Sequence, residues 1–306
     1  MRIFYGSSHQ KLGYAIANYL EAEPGEMQVS KFSCGETYAR VKETIRGHDC
    51  YIIQTIGSQP NDDYMELFLM MDALKRSSAR SINVVMPYFG YSRQDKKSAP
   101  REPISARLVA DLLQAVRLDR LITMDLHSDQ IQGFFNVPVD HLTALPLFYE
   151  YFKNKDLENL AVVAPDTGRA KFAKKLSDKL NGDLVIMHKT RPQHNVAEIV
   201  NIVGEVKDKT ILLVDDMIDT AGSVTSGLQT LRKMGCNKDI YLAATHAIFS
   251  GQAKSRLMEF GFKEIVVTDS IPQENFEGLT VLTTAKLLGE AIKRNYECKS
   301  ISSLLD

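Results

Sequence analysis

Ile211-Leu212-Leu213-Val214-Asp215-Asp216-Met217-Ile218-Asp219-Thr220-Ala221-Gly222-Ser223 is the stretch that decides the fold. Its run of branched apolar residues, introduced by Lys209-Thr210, predicts a strand over Ile211–Val214 buried on both faces of a sheet. The chain is then expected to turn through the acid pair and enter a helix after Gly222, with Val224, Leu228, Leu231 and Met234 as its apolar stripe. Backbone N–H groups at such a helix start, with the Thr220 and Ser223 hydroxyls, form a cradle for a phosphate. Carboxylates beside the cradle repel a bare phosphate and suit a ligand that also brings hydroxyls or a metal. A sugar phosphate with vicinal hydroxyls is the simplest such ligand. The plain alternative is an acidic strand-to-helix turn whose aspartates only cap the helix.

Outward from this stretch, strand and helix patterns alternate. The first half predicts strands at Ile3–Tyr5, Cys50–Gln54, Ile82–Met86 and Leu121–Met124. Its helices carry Leu12, Ala15, Ile16, Tyr19 and Leu20, then Met65, Leu67, Phe68 and Met71, then run from Ile104 to Val116. The second half predicts strands at Leu160–Val163, Leu184–Met187, Ile211–Val214, Ile240–Ala243 and Ile265–Val267, with a helix from Ala170 to Leu180. This alternation implies parallel sheets flanked by helices, an α/β fold. The halves read as a degenerate duplication, in which strand, loop, helix and strand lead to His127 in one and His246 in the other.

A length of 306 residues gives room for about two domains. The net charge of -1 argues against nucleic acid or an anionic membrane as partner, so any basic site is local. The N-terminus shows no apolar stretch of signal or membrane-span length, and Cys34, Cys50, Cys236 and Cys298 form neither a CxxC pair nor a metal-ligand spacing. Reduced thiols and a cytoplasmic location are expected.

Four more loops follow strands. Pro87–Pro103 is turn-rich and clusters Arg93, Lys96, Lys97 and Arg101, which suits a flap over polyphosphate and equally a solvated surface loop. His127 stands just beyond a strand end, as a ligand or as a structural histidine. Ala164-Pro165-Asp166-Thr167-Gly168-Arg169-Ala170 opens a helix, and His188-Lys189-Thr190-Arg191-Pro192 leaves a strand with two cations.

The stretch from Asp215 to Ser223 resembles the phosphoribosyl-pyrophosphate motif shared by type I phosphoribosyltransferases and ribose-phosphate pyrophosphokinases. Two further runs favour the latter. Tyr91-Ser92-Arg93-Gln94-Asp95-Lys96-Lys97, with Ile104-Ser105-Ala106-Arg107-Leu108-Val109-Ala110, resembles their ATP-binding flap. Met124-Asp125-Leu126-His127-Ser128-Asp129-Gln130-Ile131-Gln132-Gly133-Phe134-Phe135 resembles their histidine signature. The resemblance spans the chain, from Gly6-Ser7-Ser8-His9 to Ser300-Ile301-Ser302-Ser303-Leu304.

It implies two tandem type I phosphoribosyltransferase-like domains over 1–145 and 146–306, the C-terminal tail returning to the first. It also implies transfer of the diphosphoryl group of Mg-ATP to ribose 5-phosphate, giving AMP and 5-phosphoribosyl 1-pyrophosphate. Phe32, Glu36, Arg93, Gln94 and His127 then bind ATP, and His127 and Asp166 hold Mg2+. Asp215, Asp216, Asp219, Thr220, Ala221, Gly222 and Ser223 bind ribose 5-phosphate. Lys189 and Arg191 are catalytic, with Asn195 and Glu198 continuing their loop. Thr44, Arg46, Ser78, Arg101, Ser300 and Ser302 surround an activating inorganic phosphate or inhibitory ADP. The assembly implied is a homohexamer built from dimers, with the ATP site shared between subunits. Three departures stand out: Arg169 replaces a second glycine, Cys34 an aspartate or asparagine, and Thr44 a serine. A phosphoribosyltransferase and a non-catalytic regulatory homologue are the alternatives.

Overall fold

A computed structural model describes residues 1–190 and 199–305, with the side chains of 188–190, 199–200 and 223 left aside. The chain forms two compact units. The first contains Met1–Thr143, Asp269–Pro272 and the segment from Thr283 onward; the second contains Ala144–Thr268 and Gln273–Leu282.

Unit 1 runs β1 (Arg2–Tyr5), α1 (Gln10–Tyr19), the hairpin β2 (Met27–Lys31) and β3 (Thr37–Val41), β4 (Asp49–Ile53), α2 (Pro60–Arg76), β5 (Ser81–Met86), α3 (Ser105–Ala115), β6 (Arg120–Met124) and β7 (Val139–Leu142). Its main sheet has the order β1-β4-β5-β6-β7, parallel throughout. The central strands are buried runs such as Ile82–Met86, as expected of a parallel sheet with no solvent face. α2 starts on Pro60 with Asp62 and Asp63 in its first turn and ends on Lys75 and Arg76, charges that complement the helix dipole. It buries Leu67, Met70, Met71 and Leu74 and leaves Met65 exposed, so the stripe is rotated from the expected one.

Unit 2 runs α4 (Leu145–Phe152), β8 (Leu160–Ala164), α5 (Ala170–Leu180), β9 (Asp183–Thr190), β10 (Ile199–Val203), β11 (Thr210–Ile218), α6 (Gly222–Lys233), β12 (Ile240–Ala247), α7 (Ala253–Phe260), β13 (Glu264–Thr268) and β14 (Leu279–Leu282). The sheet order is β10-β9-β8-β11-β12-β13-β14, antiparallel only between β9 and β10. The chain then returns to unit 1 as α8 (Ala285–Tyr296), whose Asn295 accepts the Tyr51 hydroxyl at 2.6 Å.

Two strands outrun their expected ends. β11 continues through the acid pair to Ile218, because β12 runs alongside it to Ala247 and pairs Asp215 with Ala244, Met217 with His246 and Ile218 with Ala247. The acids therefore lie on a strand, followed by buried Met217 and Ile218, and the turn comes later. β9 likewise extends through Thr190, placing Lys189 opposite Val200.

Candidate active site

In unit 2 the chain proceeds from β8 to β9 on one side and from β11 to β12 on the other. The strand order therefore reverses between β8 and β11. Ligands of open parallel sheets bind beyond the carboxyl ends of strands at such a reversal. The two loops there are 165–169 and 219–221.

The first loop is held by Asp166, whose Oδ1 accepts the Arg169 N–H at 3.1 Å. In the second, Asp215 Oδ1 accepts the Asp216 N–H at 2.8 Å, and Asp216 is buried. Burial, then the adjacent Asp216 charge, pushes the Asp215 carboxyl well above the ordinary carboxylate range; the Arg169 charge acts the other way. Asp219 accepts the Ser250 hydroxyl at Oδ1 and the Ser250 N–H at its carbonyl. Ala221 caps α6 in the left-handed region, φ 60°, a conformation that costs a residue with a β-carbon about 1 kcal/mol or more. The Thr225 N–H and hydroxyl both close on the Ala221 carbonyl at 3.1 Å, which fixes this first turn. The first helical N–H groups after Ala221 have no intrahelical acceptor and suit an anion, the expected phosphate cradle. Gly222 stands in it and Thr220 is exposed at its rim; the Ser223 side chain lies outside the described atoms.

Lys189 lies on β9, with its side chain outside the described atoms. Arg191, Asn195 and Glu198 lie outside the described residues.

At the carboxyl edge of unit 1, the loop after β5 begins in the core. Tyr88, Phe89 and Ser92 are buried, and the Tyr64 hydroxyl donates to the Gly90 carbonyl at 3.0 Å. A β-carbon at Gly90 would meet Ile56 Cγ2 at 2.6 Å, so only glycine fits. Further on, Gln94 accepts the Ser105 hydroxyl at 2.5 Å, and Glu102 accepts the N–H groups of Ser98 and Ala99. Arg93, Lys96, Lys97 and Arg101 are exposed. The loop is thus pinned at both ends, with its cations outward.

His127 is exposed just past β6. Asp125 takes φ 34°, held by the Leu142 carbonyl on its N–H and the Thr143 hydroxyl on its carboxylate. His141 Nε2 accepts the Leu126 N–H at 2.8 Å. Phe32 and Glu36 flank the β2–β3 turn, where the Phe32 N–H donates to the Glu36 carbonyl at 2.8 Å and both side chains are exposed.

The six expected effector positions lie on separate segments of unit 1. Thr44, Arg46 and Ser78 leave the amino edge of the unit 1 sheet, where the Gly47 N–H donates to the Ser78 carbonyl at 2.9 Å. Ser300 and Ser302 bond to each other at 3.1 Å, whereas Arg101 belongs to the loop leaving the carboxyl edge.

Among the described residues no group of three or more His, Cys, Asp or Glu side chains can hold a metal by itself. Mg2+ retains waters and takes one or two carboxylates plus substrate phosphate oxygens. The Asp166 carboxylate and the His127 imidazole, both exposed on strand-end loops, each fit such a partial ligand shell. Among the described residues no helix is long and apolar enough to cross a membrane.

Two positioning residues escaped the sequence reading. Arg256 on α7 donates to the Thr220 carbonyl at 2.9 Å and braces the phosphate loop from outside. His141 supports the turn that carries His127. Neither lies in a motif, and both act through tertiary contact.

Comparison with known proteins agrees with this layout. Residues 1–116 match the N-terminal domain of ribose phosphate pyrophosphokinase, and residues 192–306 match the phosphoribosyl synthetase-associated domain. A ribose-phosphate pyrophosphokinase of Bacillus caldolyticus is 47% identical over 309 residues, covering 100% of this chain and 98% of that protein. One from Bacillus subtilis is 45% identical, covering 99% and 96%. The crystal structure of phosphoribosylpyrophosphate synthetase from Mycobacterium smegmatis superposes with a TM-score of 0.90 at 41% identity, covering 97% of this chain and 99% of that one. With full-length identity at this level, the strand-end loops of two phosphoribosyltransferase-like domains belong to a member of the ribose-phosphate pyrophosphokinase family.

Proposed function

We infer that the protein is an ATP-dependent ribose-phosphate diphosphokinase supplying nucleotide biosynthesis. The C1 hydroxyl oxygen of ribose 5-phosphate attacks the β-phosphorus of ATP. A C1–O–Pβ bond forms, the bridge between Pα and Pβ breaks, AMP leaves with the bridging oxygen, and the hydroxyl proton is released. The products are AMP and 5-phosphoribosyl 1-pyrophosphate. The observation that carries this reading is the 45–47% identity to ribose-phosphate pyrophosphokinases along the whole chain; the acid pair and helix start at the strand-order reversal of unit 2 support the sugar-phosphate site.

The cradle of residues 220–223, with Ser223, holds the 5-phosphate, while Asp215, Asp216 and Asp219 hold ribose hydroxyls. Arg93, Gln94 and His127 orient the triphosphate, and Phe32 and Glu36 take the adenine. Lys189 and Arg191 stabilise charge on the moving diphosphoryl group. His127 in unit 1 and Asp166 in unit 2 are each candidates to hold Mg2+ together with substrate oxygens, and the metal would neutralise phosphate charge. Catalysis then rests on positioning and electrostatics, with no covalent protein intermediate.

Self-association as a homohexamer of dimers fits the hairpin tip, which exposes Phe32 with Tyr38 edge-on at 5.7 Å and suits an adenine of a neighbouring copy. Thr44, Arg46, Ser78, Arg101, Ser300 and Ser302 surround an activating inorganic phosphate or inhibitory ADP. The protein acts in the cytoplasm.

The test is incubation with Mg-ATP and ribose 5-phosphate, with and without inorganic phosphate, following AMP and phosphoribosyl-pyrophosphate. AMP that requires the sugar supports the reaction, and its acceleration by phosphate supports the effector site. No AMP from folded protein with metal present indicates a non-catalytic regulatory homologue.

A further inference from the structure

α6 and α7 leave a groove between them of about 280 Å³, lined by Thr225, Gln229 and Arg232 from the first helix and Arg256, Glu259 and Phe260 from the second. At one end the Arg232 guanidinium lies over the Phe260 ring, 3.9 Å from its centroid, and donates to the Phe260 carbonyl at 3.0 Å. Ring and carbonyl together make it a flat, fixed cationic shelf. At the other end Arg256 donates to the Thr220 carbonyl at 2.9 Å and stands 3.7 Å from where a β-carbon on Gly222 would sit. Neither arginine pairs with a carboxylate among the described residues, although Glu259 lines the same groove. Arg232 suits the carboxyl end of α6, but Arg256 sits in the first half of α7, where a helix dipole disfavours a cation. Each guanidinium gives one N–H to a carbonyl and keeps others for a ligand. From Thr225 to Arg232 the helix rises about 10 Å, room for a mononucleotide. The order of groups matches one: a flat shelf for a base, an amide and a carboxylate for sugar hydroxyls, and a guanidinium for a phosphate.

We propose that the groove between α6 and α7 binds a nucleoside monophosphate, and that its occupation weakens the hold on the sugar phosphate. The base stacks on Arg232, the hydroxyls meet Gln229 and Glu259, and the phosphate meets Arg256. That phosphate neutralises the cation beside the helix start at 220–223 and sets a second anion there, so like charges oppose the 5-phosphate. The binding stands on the groove alone; its effect rests on the assignment of 220–223 to ribose 5-phosphate.

Calorimetric titration with guanosine monophosphate tests it, on protein saturated with Mg2+ and an ATP analogue that resists cleavage between Pα and Pβ. The wild-type protein binds the monophosphate. Arg232→Ala weakens that binding roughly tenfold or more, and Arg232→Lys, which keeps the charge without the flat face, recovers little of it. Arg46→Ala, at an expected effector position, binds it like wild type. With the monophosphate saturating, affinity for ribose 5-phosphate falls about fivefold in the wild-type protein and stays the same in Arg232→Ala. Four results overturn the proposal: no binding by the wild-type protein, equal binding by Arg232→Ala, an equal loss in Arg46→Ala, or a ribose 5-phosphate affinity indifferent to the monophosphate. The wild-type titrations decide even if a variant fails to fold. Should ribose 5-phosphate itself not bind, the sugar-site assignment falls, while the Arg232 titrations still judge the groove.

Discussion

β6 of unit 1 releases His127 into solvent just past its last residue, whereas β12 of unit 2 keeps the histidine at the matching place, His246, buried within the strand. The strands before them differ in the same sense. β5 stops at Met86 and hands over to a long cationic loop; β11 runs on through two acids to a tight helix start. One order of elements thus yields two kinds of strand end. The difference lies in sheet topology. Unit 1 adds its strands in one direction with no reversal among the described strands, so only loops reaching out of the edge offer side chains there. Unit 2 reverses between β8 and β11, which opens a crevice where short loops and backbone groups suffice. We assign nucleotide to the first kind of edge and sugar phosphate to the second.

Substitutions that touch one edge sharpen this division, and one that disturbs both equally breaks it. The largest effect is expected for Lys189→Ala on β9. Steady-state kinetics should show turnover down by roughly a hundredfold or more with Michaelis constants little changed, as for lost transition-state stabilisation. A change confined to the Michaelis constants contradicts the role.

Gly90→Ala comes next. The new β-carbon forces Ile56 aside, destabilising unit 1 by about 1–3 kcal/mol in a denaturant titration. It should raise the Michaelis constant for ATP and leave ribose 5-phosphate binding alone.

Arg256→Ala removes one charge-assisted hydrogen bond from the Thr220 carbonyl, a loss of about 1.5 kcal/mol. The Michaelis constant for ribose 5-phosphate should rise about tenfold with that for ATP unchanged. Arg256→Lys should recover part of it.

Smallest is the stability effect of Asp215→Asn. Because the folded protein holds this proton more tightly than the unfolded chain, wild-type stability falls as pH rises above the ordinary carboxylate range, until the raised folded pKa is passed. The asparagine variant should therefore melt like wild type in acid, where the carboxyl is protonated in both states, and gain relative to it as pH rises. A gain that shrinks with pH refutes the sign.

Much of this was legible in residues 211–223, where an apolar run, two acids and a small-residue helix start specify strand, site and helix locally. The end of β11 was not, because Asp215 and Asp216 stay in the strand only through the length of β12. β7 and β14 escaped because four residues each, partly exposed, carry too little periodicity. The hairpin β2–β3 buries none of its strand residues fully and forms a separate two-stranded ribbon. Asp166 and His127 stand on the strand-end loops their motifs indicated. Arg256 and His141 required the fold, since each reaches its partner through packing.

The division between the edges is tested most directly by equilibrium binding of a non-hydrolysable ATP analogue and of ribose 5-phosphate, each measured on Gly90→Ala and Arg256→Ala. The account predicts a crossover, with nucleotide affinity lost in the first variant only and sugar affinity lost in the second only. Equal loss of both ligands in either folded variant would contradict it.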